Sequence, residues 1–573
     1  MHIKERFDFI LADKRLPWLL CASCLLVIFY HLGAAALFEP DEGRNAERAR
    51  EILVLDNWLI PHENFLPALD KPVFLYWLIA ISYKVFGISE WSARLPSALA
   101  ALGCLFVLYR FARIHWGLWE ALWAVLVLTT GVEFFIFSRL VIFDMTLTFF
   151  TTIALCEFYS AAQAENKNTK RRHCLLMYGA MALATLLKGP IGVMIPGMVF
   201  FFYLLLTRRW RLLSQMDVAI GALVFISMVA PLYVWAEARS PGYLRYFLLE
   251  ENYLRFLTPH FHRSKTWYYY FLVVAAGFAP WSVLIPFIVK DLRKKAMDDG
   301  SLYLILWVAV PFVFFTLSNS KLPHYILPIF PALAILTAKT LTAIVGDTSA
   351  RSRWPLTLPL LTIGLWVGFL IAGSIWASRL PHQIRPIESQ TGPSIWAFGG
   401  MLAVVLGIFA FAGSLGKWRE QRLVYLCYCC STIIFALLMG HIAVPVSYER
   451  SAKQLAKNVA PFINLEHQLA FYDGYLTGLP FYLRAKQPIW VVWSGEKTII
   501  MHNIYVAEKQ PPPATGYGPV LFTFDEFTKE WKESKQPLLV FIKDKNISRL
   551  AESGAAPTKT LTQTDEYSIV TNR

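Results

Sequence analysis

The stretch FEPDEGRNAERARE, from Phe38 to Glu51, sets Glu39, Asp41, Glu42, Glu47 and Glu51 among Arg44, Arg48 and Arg50, directly after an almost unbroken apolar run from Leu16 to Phe38. Carboxylates and guanidinium groups interleaved in this way can take or orient a proton and can hold developing negative charge. A solvated loop would have the same composition, so the other polar clusters matter. LDKP carries Asp70 and Lys71, SRLVIFD carries Arg139 and Asp144, and LLKGP ends on Lys188 and two turn residues. EENYLRF and TPHFHRSKTWYYY follow, with His260, His262 and Arg263, and then SNSKLPHYILP with Lys321, His324 and Tyr325. Asp144 and Lys188 stand at the edges of apolar runs, where an ionisable group is costly unless it is paired or faces a cavity. Snorkelling to the interface is the plainer explanation for Lys188. The neighbours Ile142, Phe143 and Met145 make it a poorer one for Asp144.

If these groups face away from the cytoplasm, ATP and nucleotide sugars are out of reach. The chain has no GxxxxGK[ST] loop and no dinucleotide fingerprint. A reactive donor must then arrive on a lipid carrier, and a polyprenyl-phosphate sugar fits. Its phosphate is the leaving group, and the negative charge that develops there calls for Lys, Arg or a metal. A carboxylate takes or orients the acceptor's proton on the opposite face of the anomeric carbon. On this reading Asp41 is the base or acceptor orienter, with Arg44 beside it to hold charge.

The elements that would position these groups are membrane helices. The chain has 573 residues, is 56% hydrophobic and has a mean hydropathy of +0.45, unlike soluble globular domains. Apolar runs of about 18 residues or more, each able to cross roughly 30 Å of hydrocarbon, recur along it. They predict an α-helical polytopic membrane protein with about thirteen spans. Their approximate limits are 16–38, 93–112, 118–137, 142–162, 174–188, 191–206, 217–237, 267–289, 301–317, 323–345, 355–377, 395–414 and 423–445. Segment 72–90 reads as an interfacial helix, and no cleavable signal peptide is evident. Basic residues fall in alternate loops, for example Lys4, Arg6, Lys14 and Arg15, then Arg110 and Arg113, then Lys170, Arg171 and Arg172. The amino terminus is therefore expected in the cytoplasm, with loops 39–92 and 238–266 outside. Much of the +14 charge is then topology and contact with anionic lipid, not nucleic-acid binding. All eight cysteines lie in or at the ends of these spans, so no disulfide is expected.

From about Val446 the composition changes. LAFYDGYLTGLPFYL, PIWVVW, GPVLFTF and PLLVFIKD are short apolar runs punctuated by Gly, Pro and charge, and FDEFTKEWKES has helical spacing. They predict a small soluble α/β domain over 446–573, outside the cytoplasm, following a membrane domain over 1–445.

At these residues the chain resembles the integral-membrane glycosyltransferases of the GT-C class, and within them the aminoarabinose transferases that modify lipid A. PDEGR, the KP of the first outside loop, LLKGP, RF…HR…WYY and KLPHYILP carry the resemblance, in that order. It implies about thirteen spans and a periplasmic tail in a bacterial inner membrane. It implies Asp41 as the catalytic carboxylate with Arg44 beside it, and Lys71 and His262 as contacts of the lipid-linked phosphate, with Arg263 also reaching it. It further implies that Asp144, Lys188 and Tyr325 line the cavity; Asp144 is counted with the catalytic residues, and Glu42 and Lys321 with the substrate-binding ones. No cofactor is certain. A divalent metal, Zn or Mg, would use Asp70 and His262, with His260 as the rival histidine. The sequence departs from the family pattern at Ala68-Leu69-Asp70-Lys71-Pro72, where Tyr-Phe-Glu-Lys-Pro is common, at Asn45, where Tyr is usual, and at Glu251-Asn252, where the family has Glu-His.

The expected partners are a polyprenyl-phosphate sugar, lipid A or another envelope acceptor, and membrane lipid. The expected activity is inverting transfer of aminoarabinose, or a related sugar, from undecaprenyl phosphate to lipid A phosphate. Transfer of another sugar, such as mannose, to a protein or glycan hydroxyl is the close alternative. A lipid-linked sugar transporter is the alternative of another class, against which stand the lack of mid-span charges and of an inverted repeat.

Overall fold

The computed structural model describes residues 16–257, 264–294 and 297–346, then, apart from short interruptions, 444–463, 467–493 and 520–573, with single positions 433, 437 and 440. The expected spans at 355–377, 395–414 and nearly all of 423–445 lie outside the described residues, as do His260, His262 and Arg263. The chain divides into two compact units, one of residues 1–32 with 95–442 and the other of 33–94 with 443–573.

The first unit is helical. Among the described residues, five of its helices are long and apolar enough to cross a membrane: Glu90–His115, Phe143–Gln163, Val218–Arg239, Asp299–Leu317 and Pro323–Ala343. Helices Tyr269–Gly277 and Trp281–Arg293 together make a sixth if counted as one span bent by 109°. The expected single span at 267–289 is thus broken, at the Gly277-Phe278-Ala279-Pro280 step, where proline removes a backbone donor. Shorter apolar helices include Pro17–Phe29, Leu118–Thr130 and Ile191–Thr207. Helices Phe143–Gln163 and Lys167–Lys188 form a tight antiparallel pair. Asn166 turns the chain between them, and its side chain caps the second helix by accepting from Asn168 N at 2.8 Å and Thr169 N at 3.2 Å, satisfying donors a helix start leaves open. Buried indoles lock neighbouring helices through one polar handle each: Trp281 Nε1 donates to Thr130 Oγ1 at 2.9 Å and Trp307 Nε1 to Pro328 O at 2.8 Å. Leu223, Ile226 and Val234 of Val218–Arg239 point outward, as an apolar helix in hydrocarbon permits.

The second unit is built on a six-stranded sheet. Its strands are β3 (Gln468–Tyr472), β4 (Trp490–Trp493), β5 (Leu521–Thr523), β6 (Leu538–Lys543), β7 (Lys559–Gln563) and β8 (Tyr567–Thr571), in the order β5-β4-β3-β6-β8-β7. The first four in that order run parallel, and β8 is antiparallel to both β6 and β7. The runs read as strands from the sequence are β3 to β6. Successive residues face opposite sides, and both sides are covered. Leu469, Phe471, Leu539, Phe541 and Ile569 meet helix Lys453–Val459. Ala470, Tyr472, Val540, Ile542 and Val570 meet helix Phe524–Glu533, whose start is fixed by a capping box of Thr523 and Glu526.

Residues 33–94, which the sequence reading grouped with the membrane region, belong to this second unit. They contain helix Asp41–Leu55, the short hairpin β1 (His62–Glu63) and β2 (Leu66–Pro67), and helix Phe74–Phe86. The physical reason is a polar seam to the tail. The Glu39 carboxylate accepts from Thr477 N at 2.9 Å, Thr477 Oγ1 at 2.6 Å and Gly478 N at 2.7 Å. Asn64 exchanges two hydrogen bonds with Ile489, at 2.7 and 2.8 Å. The approach is close enough that a Cβ on Gly43 would lie 2.7 Å from Gly478 N.

Candidate active site

The candidate residues form two groups, one in each unit. In the second unit, Pro40 precedes helix Asp41–Leu55 and leaves Asp41 and Glu42 in its first turn, where the helix dipole favours carboxylates. The two then part company. Asp41 is exposed, and Arg44 Nη2 lies 3.4 Å from its Oδ1. Glu42 is buried and gripped by Arg94, whose Nε reaches Oε1 at 2.9 Å and Nη2 reaches Oε2 at 2.8 Å. Arg94 also donates to Ala35 O at 2.6 Å and Ala36 O at 2.9 Å. Glu42 is thereby a pin at the entry to the helix, and Asp41 is the carboxylate presented outward.

One turn further along, Arg48 is fully buried. It donates to Glu63, to Asp70 Oδ1 at 2.7 Å and to Tyr76 Oη at 3.0 Å. Burial opposes its charge, but Asp70, Tyr76 and Glu63 outweigh that and hold the guanidinium protonated. Lys71 lies beside it and donates to Asp70 O at 2.9 Å. Asn45, where the family has Tyr, accepts from Tyr76 Oη at 3.3 Å. Asp70 was the expected metal ligand. Its carboxylate shares the Arg48 guanidinium with Glu63, and no three of His, Cys, Asp and Glu gather as a metal site among the described residues. The expected partner of Asp70, His262, lies outside the described residues. Deeper in the unit, burial pushes Glu39 above the usual carboxylate range and pushes Glu51 well above it, with Glu47 adding to the effect on Glu51. Burial also lowers His62 to about 4.

The second group follows from the helical hairpin of the first unit. Helix Phe143–Gln163 begins where Lys167–Lys188 ends. Because the two are of nearly equal length and joined by a three-residue turn, Asp144 in one first turn meets Lys188 in the other's last turn. Each charge sits at the helix end its sign prefers. Lys188 Nζ lies 2.5 Å from Asp144 Oδ1 and 4.7 Å from the centre of the Tyr325 ring. His324 Nε2 approaches Asp144 Oδ2 at 3.6 Å. Tyr325 Oη accepts from Arg255 Nη2 at 3.0 Å, and Arg255 is held in turn by Glu251 at 2.9 Å. Asp144, Lys188 and Tyr325, expected to line one cavity, are thus brought together. Lys321 is not part of their contacts: buried, it donates to Ser318 O at 2.6 Å and Lys265 O at 3.2 Å. Arg139 is likewise taken up by the backbone oxygens of Val27 at 3.0 Å and Ile28 at 3.1 Å.

Sequence reasoning did not single out Arg48, Arg94, His324 or Arg255 as site residues. Arg255 had a signal, the i,i+4 spacing to Glu251. The others find their partners only through tertiary structure.

Three comparisons bear on this arrangement. A family model described as dolichyl-phosphate-mannose-protein mannosyltransferase matches residues 70–235. An undecaprenyl phosphate-alpha-4-amino-4-deoxy-L-arabinose arabinosyl transferase of Edwardsiella ictaluri (strain 93-146) is 28% identical over 422 residues, 71% of this chain and 74% of its own. One from Erwinia tasmaniensis is 30% identical over 343 residues, 59% of this chain and 61% of its own. The crystal structure of ArnT from Cupriavidus metallidurans bound to undecaprenyl phosphate superimposes with a TM-score of 0.82 at 25% identity, covering 98% of this chain and 99% of that one. On fold over its full length and on sequence over most of it, this chain is a GT-C class integral-membrane glycosyltransferase that resembles the undecaprenyl phosphate-alpha-4-amino-4-deoxy-L-arabinose arabinosyl transferases.

Proposed function

We propose that this enzyme transfers 4-amino-4-deoxy-L-arabinose from undecaprenyl phosphate to a phosphate of lipid A, with inversion. The observation that carries the reading is the full-length likeness to a structure that holds undecaprenyl phosphate. In the reaction, an acceptor phosphate oxygen bonds to the anomeric carbon while the bond from that carbon to the donor phosphate breaks. Undecaprenyl phosphate leaves with the electron pair.

A phosphate acceptor is already an oxyanion, so Asp41 has little proton to remove and acts mainly to orient it, with Arg44 countering charge. Glu42 acts through Arg94, fixing the turn that presents Asp41. Lys71, with His262 and Arg263, meets the charge of the lipid-linked phosphate, and Arg48 keeps the Asp70-Lys71 segment in place. Asp144, Lys188 and Tyr325 line the donor cavity, and the Asp144 contact sets where the Lys188 ammonium can reach. Lys321 secures the turn leading to Tyr325. We further place about thirteen spans in the inner membrane, with the amino terminus cytoplasmic and residues 446–573 as a soluble periplasmic domain.

The family model's protein-mannosyltransferase description favours one second reading, in which the acceptor is a hydroxyl and Asp41 is a true base. Mass spectrometry of lipid A and total glycolipid, from cells with and without this chain, separates the two. A phosphate-linked pentosamine that disappears in the Asp41→Asn strain supports the first. Unchanged lipid A, with polyprenyl-phosphate sugar accumulating in cells lacking the chain, overturns it in favour of the second.

A further inference from the structure

Glu133 is an ionisable group that the reaction above does not use. It sits on the short helix Val132–Phe137, is 4% exposed, and its Oε1 has no hydrogen-bond partner among the described residues. No Lys, Arg or His pairs with it among those residues. A carboxylate so placed is expensive, and at membrane depth it is a functional group by default.

The fold makes room for it. A Cβ on Gly277 would lie 2.3 Å from Glu133 Oε2, so only glycine at that position leaves the carboxylate its place. The helix that carries Glu133 is tied to the same segment, Val132 N donating to Ala279 O at 3.1 Å. One turn on from Glu133, the Phe137 ring meets His324 edge-on, with centroids 5.3 Å apart, and His324 is the neighbour of Asp144. Residues four apart share a helix face, so Glu133 stands on the same side of its helix as Phe137. It lies within electrostatic reach of Asp144 and of Tyr269. Lys188 is engaged by Asp144. With Arg255 taken by Glu251 and the His324 ring neutral, the Asp144, Lys188 and Tyr325 group with Glu133 holds one carboxylate more than its described cations answer, and a ligand completing it should bring a positive charge.

Resting on the proposed function, we infer that Glu133 is a specificity-determining residue that accepts the ammonium group of the amino sugar on the lipid-linked donor. A primary amine on a sugar is cationic at neutral pH and donates charge-assisted hydrogen bonds to a carboxylate. A hydroxyl or an acetamide at the same carbon carries no charge and leaves Glu133 unanswered.

The test uses full-length purified protein and three undecaprenyl phosphate donors, bearing 4-amino-4-deoxy-arabinose, arabinose, and the N-acetylated amino sugar. Wild type should favour the amino donor in kcat/KM by roughly 10- to 100-fold, the range of a buried hydrogen bond to a charged group. Glu133→Gln should lose that preference by a rise in KM for the amino donor and leave the arabinose donor unchanged. Glu133→Asp keeps the charge and should retain part of the preference; it serves as the second variant if the glutamine form does not fold. Equal loss with all donors would make Glu133 structural and overturn the inference, as would a preference that survives in both variants or is absent from wild type. Turnover of no donor by wild type would instead bring down the aminoarabinose reading itself, and this inference with it.

Discussion

Lys188 and Asp144 meet at 2.5 Å although 44 residues separate them in sequence. The contact closes the open end of one helical hairpin and sets an ammonium and a carboxylate beside Tyr325. A pair like this can be a brace or a reagent, and the two have different signatures. Removing one partner of a buried pair leaves the other uncompensated, at about 3–5 kcal/mol, whereas removing both is often close to neutral. Asp144→Asn and Lys188→Met should each lower thermal stability in detergent, and the double variant should recover most of it. Donor turnover should stay lost in all three. A double variant that turns over like wild type would make the pair a brace only.

Asp41 is the contrasting case. Its side chain is 60% exposed, so Asp41→Asn should shift stability by no more than about 0.5 kcal/mol. Turnover should fall roughly 100-fold or more, within the range for a proton-handling or orienting group. Thermal unfolding and donor consumption, measured on one preparation, decide the point. An unimpaired asparagine variant removes Asp41 from the chemistry.

The glycines at the Glu39 seam should tolerate nothing larger. A Cβ at Gly478 would lie 2.5 Å from Glu39 Oε1 and one at Gly43 would lie 2.7 Å from Gly478 N. Gly43→Ala and Gly478→Ala should each destabilise the second unit by about 1–3 kcal/mol, the usual range for overpacking. The readout is differential scanning of the intact protein. Wild-type melting in both variants would mean that the seam yields easily.

Two buried groups of the second unit should tilt stability with pH in opposite senses. His62 is lowered to about 4, so the folded state binds its proton less readily than the unfolded chain does. Its contribution is complete above pH 6.5 and declines as pH falls toward 4, by roughly 3 kcal/mol. Glu51 is raised well above 4.5, so its contribution is complete below the usual carboxylate range and is lost as pH rises through the raised value. His62→Gln should flatten the acid limb of a stability-pH curve, and Glu51→Gln the limb on the other side. Curves that keep their shape in both variants would rule the two groups out as its cause.

The parts legible in sequence were those written locally. Alternation and Gly/Pro punctuation marked β3 to β6. Asp144 and Lys188 were legible because an ionisable residue at the edge of an apolar run is conspicuous wherever it folds. Glu42 and Asp41 show the limit: adjacent in sequence and alike in chemistry, one is buried on Arg94 and the other faces outward. Nothing local separates them, because the arginine that claims Glu42 lies 52 residues away. Arg48 is the same kind of case, since Glu63 and Asp70 reach it only after β1, β2 and the following turn have folded. The grouping of 33–94 with the tail was hidden for the same reason, its hydrogen bonds spanning more than 400 residues.

That span has a consequence for biosynthesis. Glu39 leaves the ribosome early, and Thr477 follows 438 residues later. At roughly 5–20 residues per second, the start of the Asp41 helix waits about 20–90 s for its partner. Through that interval the first loop lacks Thr477 and Gly478, the donors that hold the Glu39 carboxylate in the finished chain. A chain cut short before Thr477 leaves the start of the Asp41 helix without those donors.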